Sequence, residues 1–320
     1  MRTRPALRPF HPPDRQRGVA VITALLLTTL AITIVASLFW QQQVQVRSIE
    51  NQRLQLQKQW ILRGALDWAA LILREDAKHS SVDDLDEPWA VPLAETRLDQ
   101  YVENGSAEGD IADATLSGGI SDAQARYNLT NLCPAGTING AEVAVFARLL
   151  DHAGIEPALA RATADMMAST FKKPDAGNGG AAAGSQPMGL AQTDDLLAVT
   201  GFTPQMLDQL KDLVIVLPRA TPVNVNTAPA AILAARIEEL SLADAATLVE
   251  SRRTASFRDL ADFNHRLPGN STPLPASVAS VTSNFFLVDG KVRMSRAGLE
   301  IQALIERDST STKLIRIREY

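Results

Sequence analysis

The chain has 320 residues, of which 36 are acidic and 31 are basic, and its formal net charge is −5. An acidic chain is a poor match for the phosphate backbone of nucleic acids, which argues against nucleic acid as its main partner. Cys133 is the single cysteine of the sequence, so an internal disulfide is excluded and cysteine usage does not identify the compartment. The length is sufficient for two domains in addition to an anchor.

The first predicted element is an apolar run of 22 residues, from Val19 to Trp40, without charge, proline or glycine. A helix of this length measures roughly 33 Å, which is enough to cross a hydrocarbon core of about 30 Å. A buried core helix is the alternative, but an uncharged run of this length is unusual for one. The run therefore predicts a transmembrane helix.

The residues before this run are basic, with five arginines against the single acidic residue Asp14. A positive flank stays in the cytoplasm, so the C-terminal part of the chain is expected on the other side of the membrane. The apolar run is longer than the core of a cleaved secretory signal, and the polar sequence QQQVQVRSIENQ follows it without a clear cleavage site. The pattern favours a single-pass anchor.

The leader ends in Arg17-Gly18 directly before the apolar run. This arrangement resembles the class III signal of type IV pilins and type II secretion pseudopilins. The resemblance implies that prepilin peptidase cleaves after Gly18 and leaves Val19 as an N-methylated first residue. Most such proteins carry glutamate at the fifth mature position, whereas this chain has Thr23. That departure is characteristic of the minor pseudopilin K branch of the family.

A second helical pattern covers residues 41–79, which contain no proline and one glycine, Gly64. Apolar side chains at spacings of three, four and seven predict a broad apolar stripe. The stripe consists of Leu54, Ile61, Leu62, Ala65, Leu66, Trp68, Ala69, Ile72 and Leu73, and the opposite side carries Arg53, Lys58, Arg63, Asp67 and Arg74. A helix continuous from Val19 would be about 90 Å long. The alternative is two helices that are broken near Gln41 to Gln43.

The next part of the chain predicts the first half of a head domain. Residues 80–119 are acidic and loop-like, and residues 111–129 alternate around Gly118-Gly119, which predicts a hairpin of two strands. Residues 121–132 read SDAQARYNLTNL and resemble a DAQARFNLNNL-like segment of the K pseudopilins.

Residues 139–217 predict mostly helical structure, and further helices follow up to residue 267. A glycine- and alanine-rich stretch at 171–189 lacks apolar periodicity and predicts a loop. The predicted helices cover 143–154, 157–170, 192–201, 203–214, 223–240, 241–253 and 257–267.

After Pro275 the pattern changes to strands, with predicted turns at Asp289-Gly290 and at residues 308–312. Neither strand-bearing flank of the helical block has enough strands for a stable sheet, so the two flanks are expected to pair with each other.

The predicted fold class is α+β: a pilin-like long N-terminal helix and an antiparallel sheet, with a large inserted all-α domain. The predicted division is leader 1–18, transmembrane and stalk helix 19–79, head 80–131, inserted domain 132–276 and C-terminal strands 277–320. The K pseudopilins that the chain resembles are built in this way.

Two segments of the helical block resemble helix-hairpin-helix units of DNA-binding proteins. Such units hold phosphate on backbone N–H groups of a G-x-G turn at a helix start. The corresponding turns of this chain are Gly201-Phe202-Thr203, which lacks the second glycine, and Leu240-Ser241-Leu242, which lacks both. In addition, residues 190–266 carry ten acidic and seven basic side chains. The charge has the wrong sign for DNA, so helical packing is the favoured interpretation.

The resemblance also raises the question of calcium, which K pseudopilins bind through a DWxDxDxxP…GAEDxxY-like segment. This chain keeps Asp165 but has Ala168 and Thr170 at the other two acidic positions, and GAAAGSQ replaces GAED. Asp175, Asp194 and Asp195 are near in sequence, but Lys172 and Lys173 would repel a cation. No metal ligand and no cofactor are therefore assigned, and calcium binding as the resemblance implies stays the alternative.

Catalytic patterns are missing from the sequence. The four histidines (His11, His79, His152 and His265) lack metal-ligand spacing, and Cys133 lies in no nucleophile motif. Gly177 to Gly184 resembles a phosphate loop only superficially, since neither an apolar strand nor a suitably placed lysine accompanies it. We expect no enzymatic activity.

The resemblance implies a minor pseudopilin at the tip of the type II secretion pseudopilus, which helps to start the filament for export of folded proteins. The implied partners are minor pseudopilins I and J, the major pseudopilin and prepilin peptidase, with secreted substrates as further candidates and no nucleic acid. The implied location is the bacterial inner membrane, with the N-terminus cytoplasmic and the C-terminal domain periplasmic. The alternative is a membrane-anchored, competence-type DNA-binding protein with helix-hairpin-helix units. A third class, an anchored hydrolase, would need a catalytic cluster built from residues far apart in sequence.

Overall fold

A computed structural model describes residues 17–98, 114–171, 188–269, 271–294 and 297–320. The chain forms two compact units, Met1–Gln57 and Lys58–Tyr320, which we call the N-terminal unit and the head. The predicted loop at 171–189 lies largely outside the described residues.

Helix α1 spans Arg17–His79 and begins in the N-terminal unit. It passes through Gln41 to Gln43 as regular helix, so the alternative of a break there is wrong. Its apolar first part has a mean hydropathy of 2.5 over 18 residues, and none of that window is buried. By length and composition, this helix can cross a membrane, as the sequence predicts.

Within the head, α1 presents one face to the core. Leu62, Leu66, Ala69 and Leu73 are buried, which confirms that part of the predicted stripe. Two expectations are wrong. Lys58, assigned to the solvent side, is 1% exposed, and Trp68, assigned to the packed stripe, is 50% exposed.

The first two strands follow α1. Strand β1 (Leu93–Arg97) pairs antiparallel with β2 (Thr115–Asp122). The predicted irregular stretch at 80–119 therefore contains a strand and the start of another. The predicted hairpin at Gly118-Gly119 is wrong, because both glycines lie inside β2.

The helical block comes next, between β2 and the last strands of the sheet. It contains two short pairs of parallel strands. Strand β3 (Tyr127–Asn128) pairs with β4 (Val214–Ile215), and β5 (Val223–Asn224) pairs with β6 (Ala279–Ser280). Its helices are α2 (Gly140–His152), α3 (Leu159–Ser169), α4 (Pro204–Leu210), α5 (Ala230–Arg236), α6 (Leu242–Thr254) and α7 (Leu260–His265). The predicted helix at 192–201 is instead a 3₁₀ turn, Thr193–Ala198.

Local signals explain several of these helix ends. The side chains of Asn139, Thr203, Ser241 and Asp259 accept backbone N–H groups at the starts of α2, α4, α6 and α7. Gly154 follows α2 with φ +71°, a left-handed conformation that glycine adopts without strain. The predicted helices at 143–154, 157–170 and 241–253 lie close to α2, α3 and α6, whereas the predicted helix at 223–240 is wrong in its first part, because Val223–Asn224 form β5 and α5 begins at Ala230.

Three strands complete the sheet: β7 (Phe285–Met294), β8 (Ala297–Arg307) and β9 (Thr312–Glu319). The order across the sheet is β1-β2-β7-β8-β9, and every neighbouring pair is antiparallel. β2 and β7 are therefore partners although the helical block separates them in sequence. The α+β fold class with an inserted helical block is confirmed, while the domain borders at residues 132 and 276 stay a prediction.

The predicted turn at Asp289-Gly290 is wrong, because this pair lies in the middle of β7. Gly290 is the partner of Gly118, and a Cβ atom on Gly118 would lie 2.2 Å from the carbonyl oxygen of Asp289. The glycines thus permit a close approach of two strands. The predicted turn at 308–312 is confirmed, since β8 ends at Arg307 and the carboxylate of Asp308 accepts the N–H groups of Thr310 and Ser311.

Candidate functional site

The processing residues lie at the start of α1. Gly18 and Val19 are helical, and Val19 is exposed. The hydroxyl group of Thr23 donates to the carbonyl oxygens of Val19 and Ala20, at 3.0 Å in both cases. The hydroxyl group of Thr23 therefore has hydrogen-bond partners within its own helix. A carboxylate at this position could not make the same hydrogen bonds, because an ionised carboxylate has no proton to donate. The assigned roles of these three residues stay predictions.

The head contains a buried polar cluster that we call the carboxylate junction, formed by Asp76, Asp83, Asp122 and Arg307. Arg307 Nη1 donates to Asp76 Oδ2 at 2.7 Å, and its Nη2 donates to Asp83 Oδ1 and Oδ2 at 2.5 and 2.7 Å. Asp76 lies near the end of α1, and Arg307 is the last residue of β8. The guanidinium group therefore fixes the end of the stalk helix to the sheet.

Asp122 connects the junction to the helical block. Its Oδ2 accepts hydrogen bonds from Asn224 Nδ2 at 3.0 Å, Thr227 Oγ1 at 2.5 Å and Ser283 Oγ at 2.6 Å. Its Oδ1 accepts the backbone N–H of Gln124 at 2.7 Å. Asp122 belongs to the segment 121–132 that the sequence singles out, so that motif organises the contact between sheet and block.

Burial controls the protonation of this cluster. It raises the pKa of Asp122 to about 6, although hydrogen bonds from Ser283, Thr227 and the backbone of Gln124 act in the opposite direction. Burial also raises the pKa of Asp76 to about 6, with the negative charge of Glu87 adding to the effect and Arg307 opposing it. Sequence reading missed the junction because its members are separated by up to 231 positions.

Carboxylate oxygens of Asp76, Asp83 and Glu87 lie within 4.8 Å of one another, a spacing that a cation could use. In this structure they are engaged by protein donors. Arg307 binds the two aspartates, and Glu87 Oε2 accepts the indole N–H of Trp89 at 2.8 Å. The arrangement is that of a structural clamp around a guanidinium group.

The acidic residues of the calcium-type segment are not gathered in the described part of the chain. Asp165 accepts Arg161 Nε at 3.0 Å, Asp194 is 3.3 Å from Arg318, and Asp195 caps the 3₁₀ turn. The hydroxyl group of Thr170 donates to the carbonyl oxygen of Met167. Lys172, Lys173 and Asp175 lie outside the described residues. The described donor set does not fit a calcium site.

The residues considered for catalysis lie apart. His79, His152 and His265 are each at the C-terminal end of a different helix, α1, α2 and α7, and His11 lies outside the described residues. Cys133 is buried, and burial raises the pKa of its thiol, which keeps it neutral and unreactive.

Two basic side chains of the helix-hairpin-helix-like region, Arg236 and Arg252, point inward, whereas Arg253 and Arg258 are exposed. Arg236 is 6% exposed and pairs with Glu142 at 2.5 Å, while Arg252 is 6% exposed and donates to the carbonyl oxygens of Val225 and Ala228. These side chains hold helices together and do not offer charge to a nucleic-acid backbone, so the packing interpretation fits the geometry.

The comparisons with known proteins agree with this architecture. Two family models match, both described as type II secretion system protein K, one at residues 125–219 and one at residues 223–282. Together they contain the two helix-hairpin-helix-like segments. These segments are therefore part of that family's own domain and give no support to the DNA-binding alternative.

Two similar proteins are also described as type II secretion system protein K. One, from Pseudomonas aeruginosa, is 27% identical over an alignment of 297 positions that covers 87% of this chain and 85% of the relative. Another, from Pectobacterium carotovorum subsp. carotovorum, is 24% identical over an alignment of 336 positions that covers 96% of this chain and 97% of the relative.

A solved structure shares the fold. It comes from the GspK-GspI-GspJ complex of the enterotoxigenic Escherichia coli type 2 secretion system, with a TM-score of 0.65 and 21% identity. The match covers 85% of this chain and 98% of the solved chain.

Proposed function

We propose that this chain, which belongs to the type II secretion system protein K family and is a minor pseudopilin of that system, occupies the tip of the pseudopilus. Thr23 is the observation that carries the proposal. In the tip position the protein would help to start the filament that exports folded proteins across the outer membrane.

The anchor supports this placement. Helix α1 is long and apolar enough for a single pass through a membrane. The basic leader at residues 1–18 favours an N-terminus in the cytoplasm and a head in the periplasm, and therefore an inner-membrane location. Prepilin peptidase would cleave between Gly18 and Val19, so that the helix begins with an N-methylated Val19.

The tip position follows from the chemistry of the fifth mature residue. A carboxylate in hydrocarbon is costly unless a cation meets it, so a pilin subunit with glutamate there requires the terminal amine of a neighbour. Thr23 creates no such requirement, because its hydroxyl group is satisfied by the carbonyl oxygens of Val19 and Ala20. A subunit with Thr23 can come first in the filament without a partner above it.

The partners follow from the same argument and from the solved relative. The charged amine of Val19 can be met by a glutamate from another subunit, for which the major pseudopilin is the candidate. The solved relative was captured as a complex of K, I and J subunits. We propose that this chain assembles with the minor pseudopilins I and J of its own system.

Substitution of Thr23 tests the tip assignment. In a strain that lacks the native copy, Thr23→Glu is expected to lower secretion of folded substrates and incorporation of the protein with I and J, because the new carboxylate lacks a partner. Thr23→Ala is the matched control and is expected to keep both, since it also adds no charge. Unchanged secretion and incorporation in Thr23→Glu would contradict the proposal.

A further inference from the structure

A groove lies between the helical block and the sheet, apart from the carboxylate junction. It consists of two cavities of about 740 and 350 Å³. Val216 of the block and Arg316 of β9 line both cavities, so the cavities adjoin, and we call them together the block–sheet groove. Cavities of this size are typical of binding sites.

The larger cavity is apolar. Its floor consists of side chains that are buried in the head: Cys133, Met167, Leu217 and Leu304. Exposed residues form its rim, among them Phe171, which is 56% exposed, Pro218 and Ala220. An apolar side chain of a partner can therefore be buried in this cavity.

One wall of the larger cavity has a strained backbone. Ala135 is exposed at this wall and has a φ of +51°, in the left-handed region that residues with a Cβ atom rarely adopt. Among the described residues other than glycine, it alone has a positive φ. Strained positions of this kind cluster at sites that hold a ligand, so the wall differs from an ordinary surface loop.

The smaller cavity is rich in positive charge. Four basic side chains line it: Arg126, Lys211, Arg316 and Arg318. With Arg219 of the larger cavity, the groove has five basic residues against three acidic ones, Asp194, Asp208 and Asp212. The chain as a whole has a net charge of −5, so the groove is a positive site on an acidic protein and favours an acidic partner.

Two of these cations are available to a partner. Lys211 is exposed and forms no ion pair with another described residue. Arg318 lies 3.3 Å from Asp194, whose side chain is largely exposed, and an exposed pair of this kind contributes little. A carboxylate of a partner can therefore join Arg318 without breaking a strong interaction of the head.

Arg316 lies between the two cavities. Its Nη1 donates to the carbonyl oxygen of Ala191, which connects β9 to the block. Burial and the positive charge of Arg318 lower the pKa of Arg316. A carboxylate that entered the groove beside these two arginines would offset the repulsion between them.

Strand β9 sets the length of the occupant. Ile315 lines the larger cavity and Tyr320 the smaller one, and they are five residues apart. At about 3.3 Å per residue, this part of the strand measures roughly 16 Å, which an extended segment of about five residues matches. The groove therefore fits an extended segment with apolar side chains at one end and acidic side chains at the other.

We propose that the block–sheet groove binds an extended, acidic and apolar surface segment of an exported protein. A contact of this small size is typical of transient complexes, and an exported protein must bind and leave, whereas the other subunits remain in the filament. This inference rests on the proposed function, because it takes the partner from the export process. It adds the site and the chemistry of the segment that the site recognises.

A photocrosslink identifies the occupant. Benzoylphenylalanine replaces Ala220 at the rim of the groove, in cells that produce the complete secretion system, and the adducts are identified by mass spectrometry. Ala243 is the matched control position, since it is an exposed alanine of α6 that does not line the groove. We expect adducts at Ala220, and not at Ala243, with a protein whose release into the medium requires the type II system. Adducts only within the chain, with another pseudopilin or with a second copy of this chain would overturn the inference, as would the absence of adducts.

Charge reversal tests the positive cavity. Lys211→Glu is expected to lower the amount of the crosslinked protein in the medium by at least about fivefold, because the groove would then repel an acidic segment. Arg253→Glu is the matched control: Arg253 is exposed on α6 outside the groove, and this variant should keep full secretion. Ala220→Trp narrows the apolar cavity and should lower secretion as Lys211→Glu does, whereas Ala243→Trp should not.

The outcomes separate this inference from the proposed function. Recovery of the I and J pseudopilins with the tagged full chain is measured in parallel and should stay unchanged in all four variants. If deletion of the chain leaves secretion intact, the proposed function is wrong. If deletion abolishes secretion but Lys211→Glu and Ala220→Trp secrete normally, the block–sheet groove is not the site. If these two variants lose I and J together with secretion, the groove serves assembly and the inference is overturned.

Discussion

Arg307 Nη2 donates to both carboxylate oxygens of Asp83, at 2.5 and 2.7 Å, and the two side chains are almost completely buried. Asp83 lies four residues after the end of α1, whereas Arg307 ends β8. The same guanidinium group also binds Asp76 of α1 and stacks over Phe286 with its Cζ 4.5 Å from the ring centre. This pair therefore fixes the exit of the stalk helix against the sheet.

Removal of the Arg307 charge is expected to destabilise the head severely. Arg307→Met leaves Asp76 and Asp83 buried without their cation, and the loss of one partner from a buried ion pair costs about 3–5 kcal/mol. Chemical unfolding of the full chain in detergent, followed by near-UV circular dichroism, measures the change in free energy of unfolding.

Arg293→Met is the matched control for Arg307→Met. Arg293 pairs with Glu95 at 3.5 Å, and both side chains are more than half exposed. An exposed pair contributes about 0–1 kcal/mol, so this variant should unfold almost like the original chain. Equal effects of the two substitutions would show that the carboxylate junction does not stabilise the head.

The stability of the head is expected to fall as the pH rises from about 4 to about 7. Burial raises the pKa of Asp122 from 3.8 to about 6, so the folded head holds this proton more tightly than the unfolded chain does. The resulting stabilisation is complete below about pH 4 and is lost as the pH rises through 6. The loss from Asp122 amounts to at most about 3 kcal/mol, and Asp76 acts in the same direction.

Thermal unfolding of two variants between pH 4.5 and 7.5 isolates this effect. Asp122→Asn removes the titrating group, and its stability should depend less steeply on pH than that of the original chain. Asp262→Asn is the control: a hydrogen bond from Arg266 lowers the pKa of Asp262 to about 2, outside the tested range. If the stability of Asp122→Asn changes with pH as steeply as that of the original chain, the pH dependence comes from other groups.

The two glycines of β2 are expected to respond differently to alanine. In Gly118→Ala the new Cβ would lie 2.2 Å from the carbonyl oxygen of Asp289, so β2 and β7 must separate, at a cost of about 1–3 kcal/mol. In Gly119→Ala the nearest atom is the Cβ of Pro92 at 3.7 Å, an ordinary contact. Gly119→Ala should change the free energy of unfolding by less than about 0.5 kcal/mol. If chemical unfolding gave the same loss in free energy of unfolding for Gly118→Ala and Gly119→Ala, the close approach of the two strands at Gly118 would be contradicted.

The buried pair Glu142–Arg236 is expected to show strong coupling. Glu142 Oε2 and Arg236 Nε and Nη2 are buried and have no hydrogen-bond partner among the described residues. Glu142→Met or Arg236→Met alone should cost about 3–5 kcal/mol, whereas the double variant should be near neutral or stabilised. A double-mutant cycle measures this. Additive losses would indicate that each side chain acts independently of the other.

The sequence predicts the parts of this fold that depend on local signals. The apolar run from Val19, the helices of the block and the turn after Arg307 follow from hydropathy, caps and turn residues. The flanking strands indicate that the helical block is inserted in the sheet. The resemblance carried by Arg17-Gly18 and residues 121–132 leads to the same family as the models that match residues 125–219 and 223–282.

The errors arise where residues distant in sequence meet. Gly118 and Gly290 have the composition of turns, but they face each other across two strands that are joined only through the helical block. Lys58 has the charge of a solvent-facing residue, yet the head buries it. The carboxylate junction leaves no local pattern, because Asp122, Asn224 and Arg307 meet only after the sheet has formed.

The most direct test of this account is the intact mass and N-terminal sequence of the membrane-extracted protein, with and without prepilin peptidase. A minor pseudopilin should begin at N-methylated Val19 when the peptidase is present and at Met1 when it is absent. A chain that begins at Met1 in both cases would contradict the assignment, since it would be an ordinary signal-anchored membrane protein.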